Sequence, residues 1–398
     1  MSARPSLRLR PGQHKRLQFG HPWAYSNEIA LDAAAKMLAP GSLVRLETAT
    51  GAPLGVAFFN PHSLVAARLL ARDPDAPVDN AFIATRLRHA LALRETLYTE
   101  PYYRLVHAEA DGLPGLIVDR YGDVLACQLN AAGIDRLSEP IIAALEEVLQ
   151  PRTILLRNDS SVRSLEGLER YVRVAKGSLG EPVELQENGC RFLADLEGGQ
   201  KTGWFFDQRD NRAFMARLGR DGRVADFYCY TGGFAVAAAV AGARDVIAVD
   251  RSEAALALAE RAAALNGVAA RCRFARGEAF AEMERRIAAG ERFDVVICDP
   301  PAFVKSKRDL ATGAKGYRKM ARLAAQLAAP GGFVFLASCS HNMEPERFAE
   351  ELRRGLAQAG RTGRILRSAG AAPDHPIHPF LPESAYLKAQ ALQLDGAG

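Results

Sequence analysis

Cysteine is scarce and scattered in this chain. The six thiols, Cys127, Cys190, Cys229, Cys272, Cys298 and Cys339, form no CxxC pair. A zinc site and a disulfide framework are therefore not indicated, and the expectation is a metal-free protein of the reducing cytoplasm. No apolar run reaches the length of a membrane span; the alanine-rich stretch 235–249 is broken by Arg244 and Asp245. The first residues, Met1-Ser2-Ala3-Arg4-Pro5, lack the apolar core of a signal peptide. Neither GxGxxG nor the GxxxxGK[ST] loop is present, which disfavours a pyrophosphate ligand. Acids are few near the N-terminus: residues 1–72 hold nine Lys or Arg against three Asp or Glu, while the whole chain carries a net charge of only +5. A basic module of this kind suits a polyanionic partner, although a solvated face would look the same.

What is present divides along the chain. Residues 1–72 read as a small β module, with strands over 43–47 and 54–59 flanking a turn at Thr50-Gly51, and another strand over 63–70. Asp73 to Pro77 has linker composition. Asn80 can cap a helix with Ile83, Leu87 and Leu91 on one stripe. Two strands then flank Tyr121-Gly122-Asp123, followed by a helix over 138–149 and strands over 153–157 and near Tyr171: a compact α+β unit. Asn188-Gly189 supplies the positive-φ pair of a hairpin over 183–193. From about residue 209, helices and strands alternate, which predicts an α/β fold with a mostly parallel sheet. Residues 385–394 read as a final, antiparallel strand.

Several residues cluster at predicted strand ends, where doubly wound folds bind ligands. The first such strand runs into Tyr228-Cys229-Tyr230-Thr231-Gly232-Gly233 and carries Asp226; the second ends at Asp250-Arg251; the third precedes Gly277-Glu278-Ala279. Asp250 suits the two hydroxyls of a ribose, Asp226 a cofactor amino group, and Glu278 the amine of adenine. The glycines would let a ligand approach the backbone. With a ribose and an amino-acid tail but no phosphate, S-adenosylmethionine fits this set. Each acid could instead be a helix cap. Upstream, Asp207, Gln208, Arg209 and Asp210 stand in a row, with Arg212 beyond. A core segment should not carry such a row; a helix start lined with polar groups toward the cofactor should.

Two further strand ends carry Cys298-Asp299-Pro300-Pro301-Ala302-Phe303 and Ser338-Cys339-Ser340. A carboxylate and a thiol at one rim, beside an Asp-Pro-Pro-aromatic turn suited to a flat base, point to chemistry on a nucleobase. Cys298 precedes Asp299 on its strand, so it should face the core. Lys305, Lys307, Arg308, Lys315, Arg318 and Lys319, with Gly313 and Gly316 among them, read as a mobile basic loop suited to RNA phosphates.

Gln200-Lys201-Thr202-Gly203, Asp207 to Arg212, Tyr228 to Phe234, Asp299 to Lys307 and Ser338 to His341 resemble the PUA-domain-containing large-subunit ribosomal RNA cytosine-5 methyltransferases. His21-Pro22-Trp23-Ala24-Tyr25-Ser26 matches that family's PUA module, and Asp111 to Gly122 its central domain, so the resemblance spans nearly the whole chain. It implies a PUA-like RNA-binding domain over 1–73, a central α+β domain over 74–180 and a class I methyltransferase domain over 181–398 that includes the hairpin. It also implies S-adenosylmethionine as cofactor and ribosomal RNA as partner. Gln208, Arg209, Arg212, Asp226, Tyr228, Thr231, Gly232, Gly233, Asp250, Arg251, Glu278, Ala279 and Asp299 would serve the cofactor. Lys15, Arg16, Trp23, Lys305, Lys307 and Arg308 would hold RNA. Cys339 would add to cytosine C6, with Asp299 on the N3/N4 edge and Phe303 stacked on the base. Relatives suggest a homodimer, for which the sequence has no interface signature. One departure stands out: Ala302 occupies a position where many RNA cytosine-5 methyltransferases have a second cysteine. The base that removes the C5 proton is thus unassigned beyond His341 or a water. Methylation of an exocyclic nitrogen, a small-molecule substrate, and an RNA-binding factor with a silent fold remain alternatives.

Overall fold

The computed structural model describes residues 4–396. The described residues form two compact units: 4–182, 195–204 and 373–384 in one, and 183–194, 205–372 and 385–396 in the other.

The first unit holds two sheets. Strands β1 (Ser6–Arg8), β2 (Trp23–Ala24), β3 (Ser42–Glu47), β4 (Pro53–Phe59) and β5 (Ala67–Ala71) pair in the order β1-β3-β4-β5-β2. Strands β6 (Tyr102–His107), β7 (Leu116–Tyr121), β8 (Val124–Leu129), β9 (Thr153–Asn158) and β10 (Tyr171–Lys176) form a second sheet in the order β10-β9-β8-β7-β6. The β-strand period of two explains why these sheets share one unit. On β4, Ala57 and Phe59 face the first sheet's core with Leu7 and Val44, while Val56 and Phe58 join Ile83, Leu105 and Leu125 in the second. The boundary expected near residue 73 is thus bridged by a continuous core. Asp79, not Asn80, caps the helix Asn80–Leu97: its carboxylate accepts from the Phe82 N–H. Residues 63–66 form no strand, and β5 begins only at Ala67.

Two segments expected in the catalytic domain belong to this first unit. Thr202 donates to Asp119, Tyr121 donates to the Thr202 carbonyl at 2.9 Å, and Arg157 reaches the carbonyls of Leu196 and Gly199. Arg94 donates to the Asp374 carbonyl at 2.8 Å, and the Asp374 carboxylate accepts from the Arg104 N–H at 2.9 Å. Beside them His107 and His375 lie 5.1 Å apart; burial, reinforced by Arg104, lowers the His107 pKa to about 2, so it is neutral.

The second unit opens with the hairpin β11 (Val183–Glu187) and β12 (Cys190–Ala194), whose turn has φ +53° at Asn188 and +76° at Gly189. Its main sheet comprises β13 (Arg223–Phe227), β14 (Asp245–Asp250), β15 (Cys272–Arg276), β16 (Phe293–Cys298), β17 (Ala328–Ser338), β18 (Gly363–Ala369) and β19 (Lys388–Leu394), in the order β15-β14-β13-β16-β17-β19-β18. β13 to β17 run parallel, and β19 is antiparallel to both β17 and β18. The parallel strands are apolar almost throughout because helices cover both faces. The order reverses between β13 and β16. At such a switch point the crossover helices diverge to opposite faces and leave a crevice outside the strand ends. Asp226, Tyr228 and Asp299 lie at that point.

Candidate active site

The strand that carries Asp226 ends in a strained turn. Tyr228 has φ +65° and Tyr230 φ +49°, conformations that cost an L-residue roughly 1–2 kcal/mol each. Two such residues around Cys229 mark a backbone held by its surroundings, as functional turns often are. Asp226, 1% exposed, accepts from the Ala235 N–H in the first turn of the helix Gly233–Val240. Burial drives its pKa well above the carboxylate range; the Ala235 hydrogen bond opposes this, while Asp299 and Asp250 add to it. Asp250 accepts the Tyr230 N–H on one oxygen and the Ser252 N–H on the other, both at 2.9 Å. These bonds fix the carboxylate in one orientation and leave each oxygen a second lone pair. Thr231 is fully buried, and its hydroxyl has no hydrogen-bond partner among the described residues. An orphaned buried hydroxyl is costly unless a ligand satisfies it. Two acceptor carboxylates and an unpaired hydroxyl near one loop match a ligand with ribose hydroxyls and an ammonium group, so these residues fit S-adenosylmethionine.

Other expected cofactor residues are placed differently. Gly232 has φ +79°, and a Cβ there would meet the Cβ of Ala259 at 2.9 Å, so the glycine serves the packing of the helix Glu253–Leu265. Gly233 is the buried first residue of its helix. Glu278 also caps a helix: one oxygen of its carboxylate accepts from the Ala281 N–H at 3.0 Å, at the start of a helix whose first residue is Ala279. Arg251 is exposed. Asp207, Gln208 and Arg209 are buried after all, which corrects the expectation that a core segment would not hold them. They are buried because they are paired. Tyr386 donates to Asp207, Asn211 donates to Gln208 at 2.7 Å, and Glu187 of the hairpin lies 3.7 Å from Arg209 and 3.2 Å from Arg212. Arg212 also donates to the Phe205 carbonyl. In position these arginines anchor the hairpin, with Arg212 contributing charge near Asp226.

The other side of the switch point is built from β16 and β17, which are sheet neighbours. Cys298 is fully buried in the core. Cys339, half-buried, has its Sγ 3.9 Å from the carbonyl of Pro300, which brings the thiol against the Asp299-Pro300-Pro301 turn. A residue that the sequence does not single out fixes this arrangement. The Tyr317 hydroxyl accepts from Ser338 at 2.7 Å and from the Phe303 N–H at 3.4 Å, and exchanges a hydrogen bond with Ser340 at 2.8 Å; Ser340 accepts from the Val304 N–H. One buried phenol thus ties the residues on both sides of Cys339 to the residues after the Pro-Pro turn. Phe303 packs in an aromatic group, 4.8 Å from Tyr317, 6.0 Å from Phe280 and 6.3 Å from Tyr228. His341 is exposed, with its ring 5.4 Å from that of Tyr386. Lys388, also missed, donates from Nζ to the Ser340 carbonyl at 2.6 Å. Its signal is a lone charge in an otherwise uncharged final strand.

The basic segment is not a loop throughout. Residues 307–309 form a 3-10 turn and the helix Leu310–Leu327 begins at once. Arg318 pairs with Glu351 at 2.6 Å, and Lys319 pairs with Glu284 while lying over the Phe280 ring. Gly313 and Gly316 give close approach rather than mobility: a Cβ at Gly313 would sit 2.5 Å from Val304 and 2.7 Å from the Phe303 carbonyl. Lys305, Lys307 and Arg308 are exposed, with no carboxylate in ion-pair range among the described residues. In the first unit Lys15 is exposed, but Arg16 is held by Glu28 at 2.7 Å and lies over Tyr25. Trp23 donates to Glu109 at 2.8 Å under the guanidinium of Arg68. Arg16 and Trp23 therefore have structural partners of their own.

The S-adenosylmethionine-dependent methyltransferase family matches residues 159–374, and the PUA-like domain family matches residues 7–72. The chain is 36% identical to ribosomal RNA large subunit methyltransferase I of Pseudoalteromonas atlantica, over 98% of each chain. It is 38% identical to the protein of that name from Aeromonas hydrophila, over 96% of this chain and 98% of the other. In fold it matches SMU.776, solved in complex with SAH, with TM-score 0.84 and 20% identity over 98% of this chain and all of that one. The chain belongs to the S-adenosylmethionine-dependent methyltransferase family, and S-adenosylmethionine is its cofactor.

Proposed function

We propose that this chain methylates C5 of a cytosine in large-subunit ribosomal RNA, with Cys339 as the nucleophile. The observation that carries this reading is the seat of Cys339: a half-buried thiol against the Asp299-Pro300-Pro301 turn, at the end of the neighbouring strand. Cytosine C5 is a poor nucleophile. Addition of the Cys339 thiolate to C6 moves the C5=C6 electrons onto C5, which can then attack an electrophilic methyl group. Loss of the C5 proton restores the double bond and expels the thiolate. The bound cofactor supplies that methyl group. Asp226 and Asp250 hold its cationic and hydroxylated parts, Thr231 completes the cradle, and Glu278 and Ala279 border the adenine. Asp299 orients the N3/N4 edge of the base, and Phe303 lies along its face. The ribosomal RNA substrate is supported by the names of the relatives and by the PUA-like match. Lys305, Lys307, Arg308 and Lys15, exposed and unneutralised, suit its phosphates. The domain division at residues 73 and 180 belongs to the same reading, with residues 1–73 as the RNA-binding module.

The test is methyl transfer from labelled cofactor to unmodified large-subunit RNA, followed by nucleoside analysis, for wild type and Cys339→Ala. Label in 5-methylcytidine that disappears in the variant is the expected result. A methylated purine, or 5-methylcytidine that survives the substitution, would overturn it.

A further inference from the structure

Strand β19 lies inside the sheet, between β17 and β18, and its register sets Lys388 opposite Ser338. An ammonium there is expensive, because burial strips its water and only a compensating charge restores the loss. Lys388 is 8% exposed. Its hydrogen bond goes to the Ser340 carbonyl, a dipole rather than a charge, and among the described residues no carboxylate lies within ion-pair distance. Other buried cations of this unit are treated differently: Arg209 and Arg212 have Glu187, and Arg286 has Glu282 and Glu291. The carbonyl that Lys388 holds belongs to the residue after Cys339, and the acidic groups acting on the ammonium are the Cys339 thiol and the carboxylate of Glu344, which precedes the helix Pro345–Gln358 and is exposed to solvent. Burial pulls the Lys388 pKa down, and these two groups hold it up, Cys339 the more strongly.

We propose that the Lys388 ammonium is the counter-charge of Cys339, holding the sulfur as thiolate before it adds to the base and again when it is expelled. Lys388 is then a positioning residue that transfers no proton: the Sγ–C6 bond forms and breaks beside a fixed positive charge. The proposal rests on the reading of Cys339 as nucleophile.

The experiment is alkylation of the full-length protein by iodoacetamide across a pH series, read by mass spectrometry on the Cys339 peptide. Cys127, Cys190, Cys229 and Cys298 are buried, and Cys272, half-buried like Cys339, is separated from it by the peptide-level readout. Lys388→Gln keeps a donor for the Ser340 carbonyl and removes the charge; Lys388→Arg keeps the charge and serves if the glutamine variant fails to fold. A cation at close range shifts a thiol by about one unit or more. The alkylation midpoint should therefore rise by about one unit in Lys388→Gln, with roughly tenfold slower reaction at pH 7, and return most of the way in Lys388→Arg. A purely structural role predicts one midpoint in all three proteins and would overturn the proposal. If Cys339→Ala abolishes product while the midpoint does not move, this proposal fails alone. If Cys339→Ala retains 5-methylcytidine, the nucleophile reading fails and takes the proposal with it.

Discussion

At the scale of single residues, the site depends on polar groups whose burial carries a cost. Asp226 is the sharpest case. Burial and the neighbouring acids raise its pKa, so the folded protein without ligand takes up a proton here more readily than the unfolded chain does. Stability of the free protein therefore falls as pH rises from the ordinary carboxylate range through the raised one. A cationic cofactor has the opposite preference and needs the carboxylate. Its affinity should weaken as pH is lowered through that same range, and calorimetry should find this dependence flattened in Asp226→Asn. Asparagine still accepts from the Ala235 N–H, so the variant should fold while binding the cofactor about tenfold or more weakly. Tyr317→Phe tests the other half of the site. It strands Ser338, Ser340 and the Phe303 N–H in an apolar interior, at a cost of about 1–3 kcal/mol in chemical denaturation. The sequence exposes Asp226, Asp299 and Cys339 because each sits at a fixed offset from a strand end. It hides Tyr317 because a tyrosine on the buried stripe of a helix looks like any core aromatic. Asp207 and Arg209 defeat a local reading because burial of a charge is decided by partners far along the chain, Tyr386 for one and Glu187 for the other.

At the scale of elements, hydrophobic period and turn chemistry carry most of the information. The hairpin at Asn188-Gly189 and the parallel strands β13 to β17 are legible because each is specified locally. The segment after the Pro-Pro turn is not. Its charges and glycines imply a loop, yet Gly313, Lys315, Gly316, Arg318 and Lys319 lie on a helix that must press against the turn. Gly313 is required by that contact, since any Cβ would enter the space of Val304 and the Phe303 carbonyl. Gly313→Ala should help an isolated helix and harm this one. Overpacking of about 1–3 kcal/mol is expected, visible as a lowered midpoint of denaturation, together with reduced turnover because the Asp299 to Phe303 turn must shift. Gly232→Ala separates two effects in one position. The left-handed φ and the 2.9 Å approach to Ala259 both penalise it. Adding Ala259→Gly should recover the steric part and leave the conformational part, so the two substitutions will not be additive in stability.

At the scale of the whole molecule, the chain passes between its two units five times, at residues 182, 194, 204, 372 and 384. No sequence pattern announces this, because the contacts that assign 195–204 and 373–384 to the first unit span up to 280 positions, as between Arg94 and Asp374. A fragment ending at residue 182 should therefore fold poorly, with Asp119 and Arg94 deprived of Thr202 and Asp374; limited proteolysis would show it. The final prediction concerns binding by the intact chain. If Lys305, Lys307 and Arg308 meet RNA phosphates, their contribution is released counterions, and it is measured by salt. Each charge that neutralises a phosphate on a single strand adds about 0.7 to the slope of log affinity against log salt concentration. Replacing all three by glutamine should flatten that slope by roughly two and weaken binding across RNA sequences, while cofactor affinity stays unchanged. The same substitution at Arg16 should barely change the slope, because Glu28 already neutralises it. An unchanged slope in the triple variant would move the RNA contact away from this turn and toward the basic first module, where Lys15 is the first residue to replace.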